Sequence, residues 1–85
     1  MAKFEIYTSP LCGYCFRAKR LLEAKGIAYE ETNVLGNATA KAEMIQRAEG
    51  RRTVPQIFID GVGIGGSDEL RDLERGGKLD ALLAA

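Results

Sequence analysis

Two cysteines separated by only two residues, Cys12 and Cys15, lie where a strand-like segment is followed by a helix-like one. Before them, Lys3–Thr8 is rich in aromatic and β-branched residues, which is typical of a β-strand. After them, Gly13–Lys25 carries apolar residues at helical spacing and is followed by Gly26, a residue type favoured in the left-handed conformation that ends helices. The sequence therefore predicts that both thiols lie at the N-terminus of a helix that directly follows a strand.

Short apolar runs and turn residues divide the remaining chain into further elements. Because the first two strands flank a helix, we expect them to be parallel, and Ser67 is predicted to cap a later helix. The whole order predicts an α/β fold, a four-stranded mixed sheet flanked by helices on both faces, in one domain over residues 1–85. The predicted elements are a strand Ile27–Asn33, a helix from its cap Asn37 to Glu49, strands Gln56–Asp60 and Val62–Ile64 joined by an Asp60-Gly61 turn, a helix from Ser67 with Asp68 and Glu69 in its first turn, and a last helix after Gly77.

The composition limits the chemistry that the two thiols can serve. The chain has no histidine, which excludes Ser-His-Asp and Cys-His catalysis and zinc sites that need imidazole. Twelve basic residues balance twelve acidic ones, so charge gives no reason to expect a nucleic acid or a membrane surface as partner. No run approaches the ~20 apolar residues that span a bilayer, and the first residues do not resemble a signal peptide. We therefore expect a cytoplasmic protein, in which a cysteine pair is more often catalytic or metal-binding than structural.

The position of the two thiols favours redox chemistry. At the start of a helix, unpaired backbone N–H groups and the helix dipole favour a thiolate over a thiol, and Arg17, Lys19 and Arg20 add positive charge nearby, most of it screened by solvent. Cys12 is predicted on the exposed side and Cys15 one turn into the helix on its inward face, which makes Cys12 the attacking nucleophile and Cys15 the resolving thiol. A C-x-x-C pair near a βαβ pattern is typical of a redox motif. The alternative, half of a tetrahedral zinc site, needs further ligands from carboxylates or a second chain.

Three other features fall where this fold would bring them close to the thiols. Thr53-Val54-Pro55 precedes the third predicted strand, Gly65-Gly66-Ser67-Asp68 precedes a helix, and Tyr14 lies within the cysteine motif. A glycine-rich segment before a helix is able to bind a carboxylate through helix N–H groups, and Tyr14 would shape the approach to Cys12. Each feature also has a purely structural interpretation: a proline at the start of a strand, an ordinary loop with a cap, and an exposed tyrosine at a turn.

Together, these motifs resemble the glutaredoxins, specifically the short bacterial dithiol type. The resemblance rests on C-G-Y-C at 12–15, T-V-P-Q-I-F-I-D-G at 53–61 and G-G-S-D at 65–68, in this order and spacing, and it covers essentially the whole chain. The last two blocks in combination are highly specific, whereas C-x-x-C alone is shared by all thioredoxin-like proteins. The resemblance implies a thioredoxin-like fold, in agreement with the predicted order of elements.

The resemblance also implies a glutathione-dependent thiol–disulfide oxidoreductase that reduces protein disulfides and glutathione mixed disulfides. The bond before Pro55 would be cis, and the backbone of Val54 would pair with bound glutathione. Ser67 would bind the γ-glutamyl carboxylate and Asp68 its ammonium group. The implied partners are glutathione and disulfide-containing or glutathionylated proteins, and the apo protein is expected to be a monomer. The residues expected to bind glutathione are Tyr14, Arg51, Thr53, Val54, Pro55, Gly66, Ser67 and Asp68.

Two positions depart from the usual glutaredoxin pattern. Ser9 stands where a basic residue usually pairs with the glycyl carboxylate of glutathione, so Arg51 or Arg52 would supply that charge instead. Gly13 stands where the commonest motif has proline, and some glutaredoxins without that proline hold a [2Fe-2S] cluster between two subunits. A cluster-binding dimer that acts as carrier or redox sensor through Cys12 is therefore the alternative function. A thioredoxin-type protein reduced by a flavoenzyme is a third, against which the predicted γ-glutamyl site argues.

Overall fold

The computed structural model describes residues 2–84, which form four strands and four helices. None of the helices within these residues is long and apolar enough to cross a membrane. The elements in chain order are β1 (Phe4–Thr8), α1 (Gly13–Ala24), β2 (Tyr29–Asn33), α2 (Ala38–Arg47), β3 (Gln56–Ile59), β4 (Val62–Gly65), α3 (Ser67–Arg75) and α4 (Lys78–Ala84).

The four strands form one mixed sheet in the order β2-β1-β3-β4. Strand β1 runs parallel to β2 and antiparallel to β3, with Ile6 opposite Ile57. Strands β3 and β4 are antiparallel neighbours joined at Asp60 and Gly61, whose φ angles are 52° and 83°, as the favoured two-residue hairpin turn requires. The predicted four-stranded mixed sheet and its Asp-Gly hairpin are confirmed.

The strands carry a hydrophobic core on each face of the sheet. On one face, Ile6 packs with Leu22 of α1 and Leu70 of α3. On the other face, Tyr7 belongs to a second cluster with Met44 of α2. Because successive side chains of a strand point to opposite faces, β1 contributes to both cores, and helices cover both faces as the sequence predicted.

Two predicted boundaries differ from the structure by two residues, and four others differ by one. The sequence predicts a strand over Ile27–Asn33, but β2 begins two residues later. The N–H of Ile27 donates to the carbonyl of Leu22 at 2.9 Å, so this residue closes α1 instead of pairing with β1, and its buried side chain explains the apolar signal. Helix α2 is capped by Asn37 as predicted but ends two residues before Glu49, which has a left-handed φ of 56°.

The N-terminus of α3 corrects a third expectation. The sequence predicts Ser67 as the N-cap, whereas the structure has Gly66 at that position and Ser67 as the first helical residue. The backbone N–H of Gly66 donates to the carboxylate of Glu69 at 2.6 Å. This is the reciprocal half of a capping box, in which the third helical residue reaches back to the cap. The helix is therefore closed by a carboxylate from its own first turn, and the hydroxyl of Ser67 is not needed to cap it.

Candidate active site

Cys12 lies at the N-terminus of α1, directly after β1, as predicted. It is the N-cap residue of the helix, and its Sγ accepts a hydrogen bond from the backbone N–H of Cys15 at 3.2 Å. The first N–H groups of a helix have no partners within the helix, so this contact aims a helix-terminal donor at the sulfur. Donors and the helix dipole at this position stabilise negative charge on the Cys12 sulfur.

The two thiols differ in their access to solvent. Both are free, but Cys12 is partly exposed whereas Cys15 is buried, with only 2% of its surface accessible. Burial, followed by the hydrogen bond with the Cys12 side chain, raises the pKa of Cys15 to about 11. At neutral pH Cys15 is therefore a neutral thiol, and Cys12 is the sulfur that a substrate can reach.

The loop before β3 packs against Cys12. Its Val54–Pro55 peptide bond is cis, in agreement with the expectation from the resemblance, and the Val54 carbonyl oxygen lies 3.7 Å from Cys12 Sγ. The side-chain amide of Gln56 donates hydrogen bonds to the carbonyl of Thr53 at 2.9 Å and to the Thr53 hydroxyl at 3.2 Å. Because Gln56 is itself buried, these bonds fix the loop on the sheet.

The N-terminus of α3 packs closely against the same loop. A Cβ atom on Gly66 would lie 3.1 Å from the carbonyl oxygen of Pro55, tighter than ordinary van der Waals contact, so the close approach depends on glycine. A Cβ on Gly65, which has a φ of 108°, would collide with the carboxyl group of Glu69. The two glycines thus allow the first turn of α3 to lie against the cis-proline loop.

All of the residues that the sequence predicts to bind glutathione line one pocket of about 300 Å³. Its volume is at the lower end of the range for small-molecule sites. Three chain segments that are distant in sequence therefore meet beside Cys12: the cysteine motif, the cis-proline loop and the N-terminus of α3. The lining residues are Tyr14, Arg51, Thr53, Val54, Pro55, Gly66, Ser67, Asp68 and Glu69.

Glu69 is the pocket residue that the sequence prediction missed. Its carboxylate accepts the N–H of Gly66 and, at 3.3 Å, the guanidinium of Arg51. The Gly66 N–H foremost, and then Arg51, lower the pKa of Glu69, which keeps it ionised at neutral pH. It therefore ties Arg51 to the N-terminus of α3. A glutamate three residues after a helix cap is a recognisable signal, but only once Gly66 is identified as the cap.

Arg51 and Arg52 line different cavities. They are the two candidates to replace the basic residue that is missing at Ser9. Arg51 lines the pocket described above. Arg52 lines a second cavity of about 450 Å³ together with Ser9 and Lys41 of α2. Both cavities include Val54, so they meet beside Cys12. Arg52 and Lys41 thus supply positive charge in the cavity that Ser9 lines, and Lys41 is a second residue that the sequence prediction missed.

The described part of the chain offers few side chains that could bind a metal ion. Within residues 2–84, no group of three or more histidine, cysteine, aspartate or glutamate side chains is arranged to hold a metal ion. Two thiols do not complete the four-ligand shell of zinc or the four thiolates of a [2Fe-2S] cluster. Further ligands for either would have to come from a second chain or from a bound thiol such as glutathione.

Comparisons with known proteins agree with the motifs. The family profile described as Glutaredoxin matches residues 4–64. The chain is 54% identical to glutaredoxin 3 of Escherichia coli over 83 residues, which cover 98% of this chain and 99% of that protein. It is 50% identical to the glutaredoxin of Pseudomonas aeruginosa over 80 residues, 94% of each protein.

Solved structures extend the likeness to the fold. The solution structure of a glutaredoxin from Brucella melitensis has a TM-score of 0.82 and 49% identity, over 98% of this chain and 89% of that one. The crystal structure of a buckwheat glutaredoxin–glutathione complex has a TM-score of 0.86 and 32% identity, over 98% of this chain and 77% of that one. The resemblance and the thioredoxin-like fold inferred from the sequence are therefore confirmed.

The difference between the two thiols predicts selective alkylation. Thiolates are the reactive species, and a pKa of about 11 leaves roughly one Cys15 in ten thousand ionised at pH 7. We expect iodoacetamide at pH 7 to modify Cys15→Ser at the wild-type rate and Cys12→Ser at least about a hundredfold more slowly, because burial of Cys15 persists in that variant. Intact-mass spectrometry measures both rates, and urea-unfolded samples, in which both thiols react, are the control. Equal rates for the two folded variants would contradict the assignment.

Proposed function

This chain belongs to the glutaredoxin family and is a thiol–disulfide oxidoreductase; we propose that it uses glutathione to reduce protein disulfides and glutathione mixed disulfides. The observation that carries the proposal is the pocket beside Cys12 in which the cysteine motif, the cis-proline loop and the N-terminus of α3 meet. The buckwheat glutaredoxin of the same fold is described in complex with glutathione. We infer that this chain binds the same ligand because the expected glutathione-binding residues line this pocket.

In this proposal, glutathione lies across the pocket with its sulfur against Cys12. Its peptide groups hydrogen-bond to the backbone of Val54, and its γ-glutamyl end reaches the N-terminus of α3. There Ser67 binds the α-carboxylate and Asp68 the ammonium group, while the helix dipole and the free N–H groups of the first turn favour the carboxylate. Tyr14, more than half exposed at the edge of the pocket, forms the side wall.

The glycyl end of glutathione is assigned to the second cavity. Arg52 and Lys41 line it together with Ser9, so their positive charges compensate for the basic residue that other glutaredoxins carry at that position. Arg51 lines the first pocket and pairs with Glu69. We therefore assign Arg51 to the γ-glutamyl half of the site, where it also holds the carboxylate that caps α3.

The proposed reaction is a pair of thiol–disulfide exchanges. The Cys12 thiolate attacks the glutathione sulfur of a mixed disulfide, the substrate–glutathione S–S bond breaks, and the substrate leaves as a thiolate that takes up a proton. A second glutathione thiolate then attacks the glutathione sulfur on Cys12, forms glutathione disulfide and releases the Cys12 thiolate. In sum, the mixed disulfide and one glutathione are converted into the substrate thiol and glutathione disulfide. Potentials of roughly −200 to −230 mV for the family make glutathione a competent reductant.

A second route for resolution passes through Cys15. Its thiolate attacks the Cys12 sulfur, which forms a Cys12–Cys15 disulfide and releases glutathione as a thiolate. Two further glutathione molecules then reduce this disulfide to two thiols and leave as glutathione disulfide. The hydrogen bond and the charge of Cys12 contribute to the raised pKa of Cys15, and both contributions end when the Cys12 sulfur enters a disulfide. Cys15 is therefore held as a thiol before the first exchange and becomes easier to ionise after it.

The remaining assignments follow from the chemistry. The proposed partners are glutathione and disulfide-containing or glutathionylated proteins, and the proposed acting species is a monomer. The reaction consumes glutathione and returns both cysteines to the thiol state, which a reducing compartment sustains. We therefore place the activity in the cytoplasm.

Substitution of each cysteine tests the proposed route. In a glutathione-coupled assay with a small glutathione mixed disulfide, we expect Cys12→Ser to lower kcat about a thousandfold or more, because the nucleophile is lost. Cys15→Ser should keep kcat within about threefold of wild type, since glutathione alone is able to resolve the intermediate. Absence of glutathione-dependent turnover in cluster-free wild-type protein would contradict the proposal and favour the cluster-binding alternative.

A matched pair of aspartates on α3 tests the γ-glutamyl site. Asp68 lines the pocket, whereas Asp72 is exposed one turn further along the same helix. We expect Asp68→Asn to raise the KM for glutathione about two- to fivefold, as removal of one exposed charge pair does, with kcat little changed. Asp72→Asn removes the same charge and should leave KM unchanged. Equal effects of the two substitutions would show that only the overall charge of α3 matters.

A further inference from the structure

The exposed face of α1 carries side chains that the proposed glutathione site does not use. Phe16, Arg17 and Arg20 are all exposed and begin directly after the cysteine motif. Phe16 and Arg20 are four residues apart, so they are neighbours on the helix surface. These three residues are called the α1 stripe below.

Both arginines of the stripe are stacked on aromatic rings. Arg17 lies 5.6 Å from the centroid of the Tyr14 ring, and Arg20 lies 5.5 Å from that of Phe16. Neither guanidinium forms an ion pair with any residue between 2 and 84. A guanidinium stacked on a ring is pre-ordered and keeps its N–H donors free at its edge. The stripe therefore presents two oriented cations that are not neutralised within the described chain.

Apolar side chains around Cys12 extend this surface. Leu11 is fully exposed with a left-handed φ of 62°, a conformation that is uncommon for a residue with a branched side chain. Tyr14 and Phe16 expose 58% and 56% of their surface. Three large exposed apolar side chains thus lie within the six residues of chain that include both cysteines, and clustered exposed apolar surface marks interaction sites.

We propose that the α1 stripe docks acidic segments of protein substrates, with the target cysteine of the substrate at Cys12. This inference rests on the proposed function and names its substrate class. Arg17 and Arg20 follow Cys12 by about 8 and 12 Å along the helix axis, at 1.5 Å per residue. An extended peptide advances about 3.3 Å per residue. Carboxylates at the second and fourth positions from the target cysteine are therefore spaced to meet the two arginines.

No residue of the stripe lines the proposed glutathione pocket, although Arg17 contacts the Tyr14 ring at its edge. Phe16 and Arg20 line a separate shallow cavity on α1 with Glu23 and Ala24, and neither lines the pocket beside the cis-proline loop. The carboxylate of Glu23 in that cavity accepts the hydroxyl of Tyr29 at 2.7 Å and forms no ion pair with Arg20 within the described residues. The stripe should therefore act on protein substrates and leave small glutathione mixed disulfides unaffected.

Two peptides of about twelve residues test the proposal. Each carries one cysteine in a mixed disulfide with glutathione; the acidic peptide has Asp at the second and fourth positions on both sides, and the neutral peptide has Ser there. With glutathione as reductant at low salt, we expect kcat/KM to be about five- to tenfold higher for the acidic peptide, as two exposed ion pairs allow. The preference should disappear in Arg17→Ser/Arg20→Ser and fall at 0.5 M salt, where charges are screened.

A control variant separates docking from overall charge. Arg75→Ser/Lys78→Ser removes two exposed cations, one at the C-terminus of α3 and one at the start of α4, and should keep the preference for the acidic peptide. Both double variants should reduce a small glutathione mixed disulfide at the wild-type rate, since exposed substitutions of this kind change stability little. Far-UV circular dichroism verifies that both are folded.

Four results would overturn the docking proposal. They are equal kcat/KM for the two peptides in wild type, a preference that persists in Arg17→Ser/Arg20→Ser, a preference that is also lost in Arg75→Ser/Lys78→Ser, and an equal loss of activity on peptides and on the small mixed disulfide in the stripe variant. Failure of the proposed function is a different result. In that case wild type would reduce none of the glutathione mixed disulfides, whatever their charge.

Discussion

The antiparallel pairing of β3 with both of its neighbours brings the reactive groups together. Strand β1 ends beside the start of β3, with Tyr7 opposite Gln56, so the cysteine motif that follows β1 lies next to the loop that precedes β3. Strand β4 ends at the same edge, with Gly65 opposite Ile57, and α3 begins directly after it. The cysteine motif, the cis-proline loop some forty residues later and the N-terminus of α3 about a dozen residues after that loop therefore meet at one edge of a single sheet.

The same arrangement gives two chemically similar thiols different environments. Cys12 lies at the helix N-terminus, where it is partly exposed and receives a backbone N–H. Cys15 lies one turn further on the buried face of α1, where burial raises its pKa to about 11. Desolvation disfavours the charged form of a buried thiol, whereas a helix terminus favours the anion. The proposed choice of Cys12 as the nucleophile thus follows from the position of each sulfur on one helical turn.

The features that depend on local sequence pattern could be predicted. The predictions were wrong or incomplete where the result depends on the direction in which a side chain points. The order of strands and helices, the hairpin turn and the orientation of the thiols follow from periodicity and turn residues. The cap of α3 was assigned to Ser67 because a hydroxyl is a common cap, but Glu69 reaches back to Gly66 and makes the cap itself. Arg51 and Arg52 are adjacent in sequence and line different cavities, which only the path of the loop determines.

The central claim is that glutathione attached to Cys12 lies between the cis-proline loop and the N-terminus of α3. The most direct measurement is a comparison of ¹H–¹⁵N spectra of the Cys15→Ser variant in its reduced form and as the trapped mixed disulfide with glutathione. The account predicts large amide shift changes at Val54, Ser67 and Asp68 in addition to those beside Cys12. Changes confined to the first turn of α1 would contradict it, because glutathione would then be attached to the sulfur without occupying the pocket.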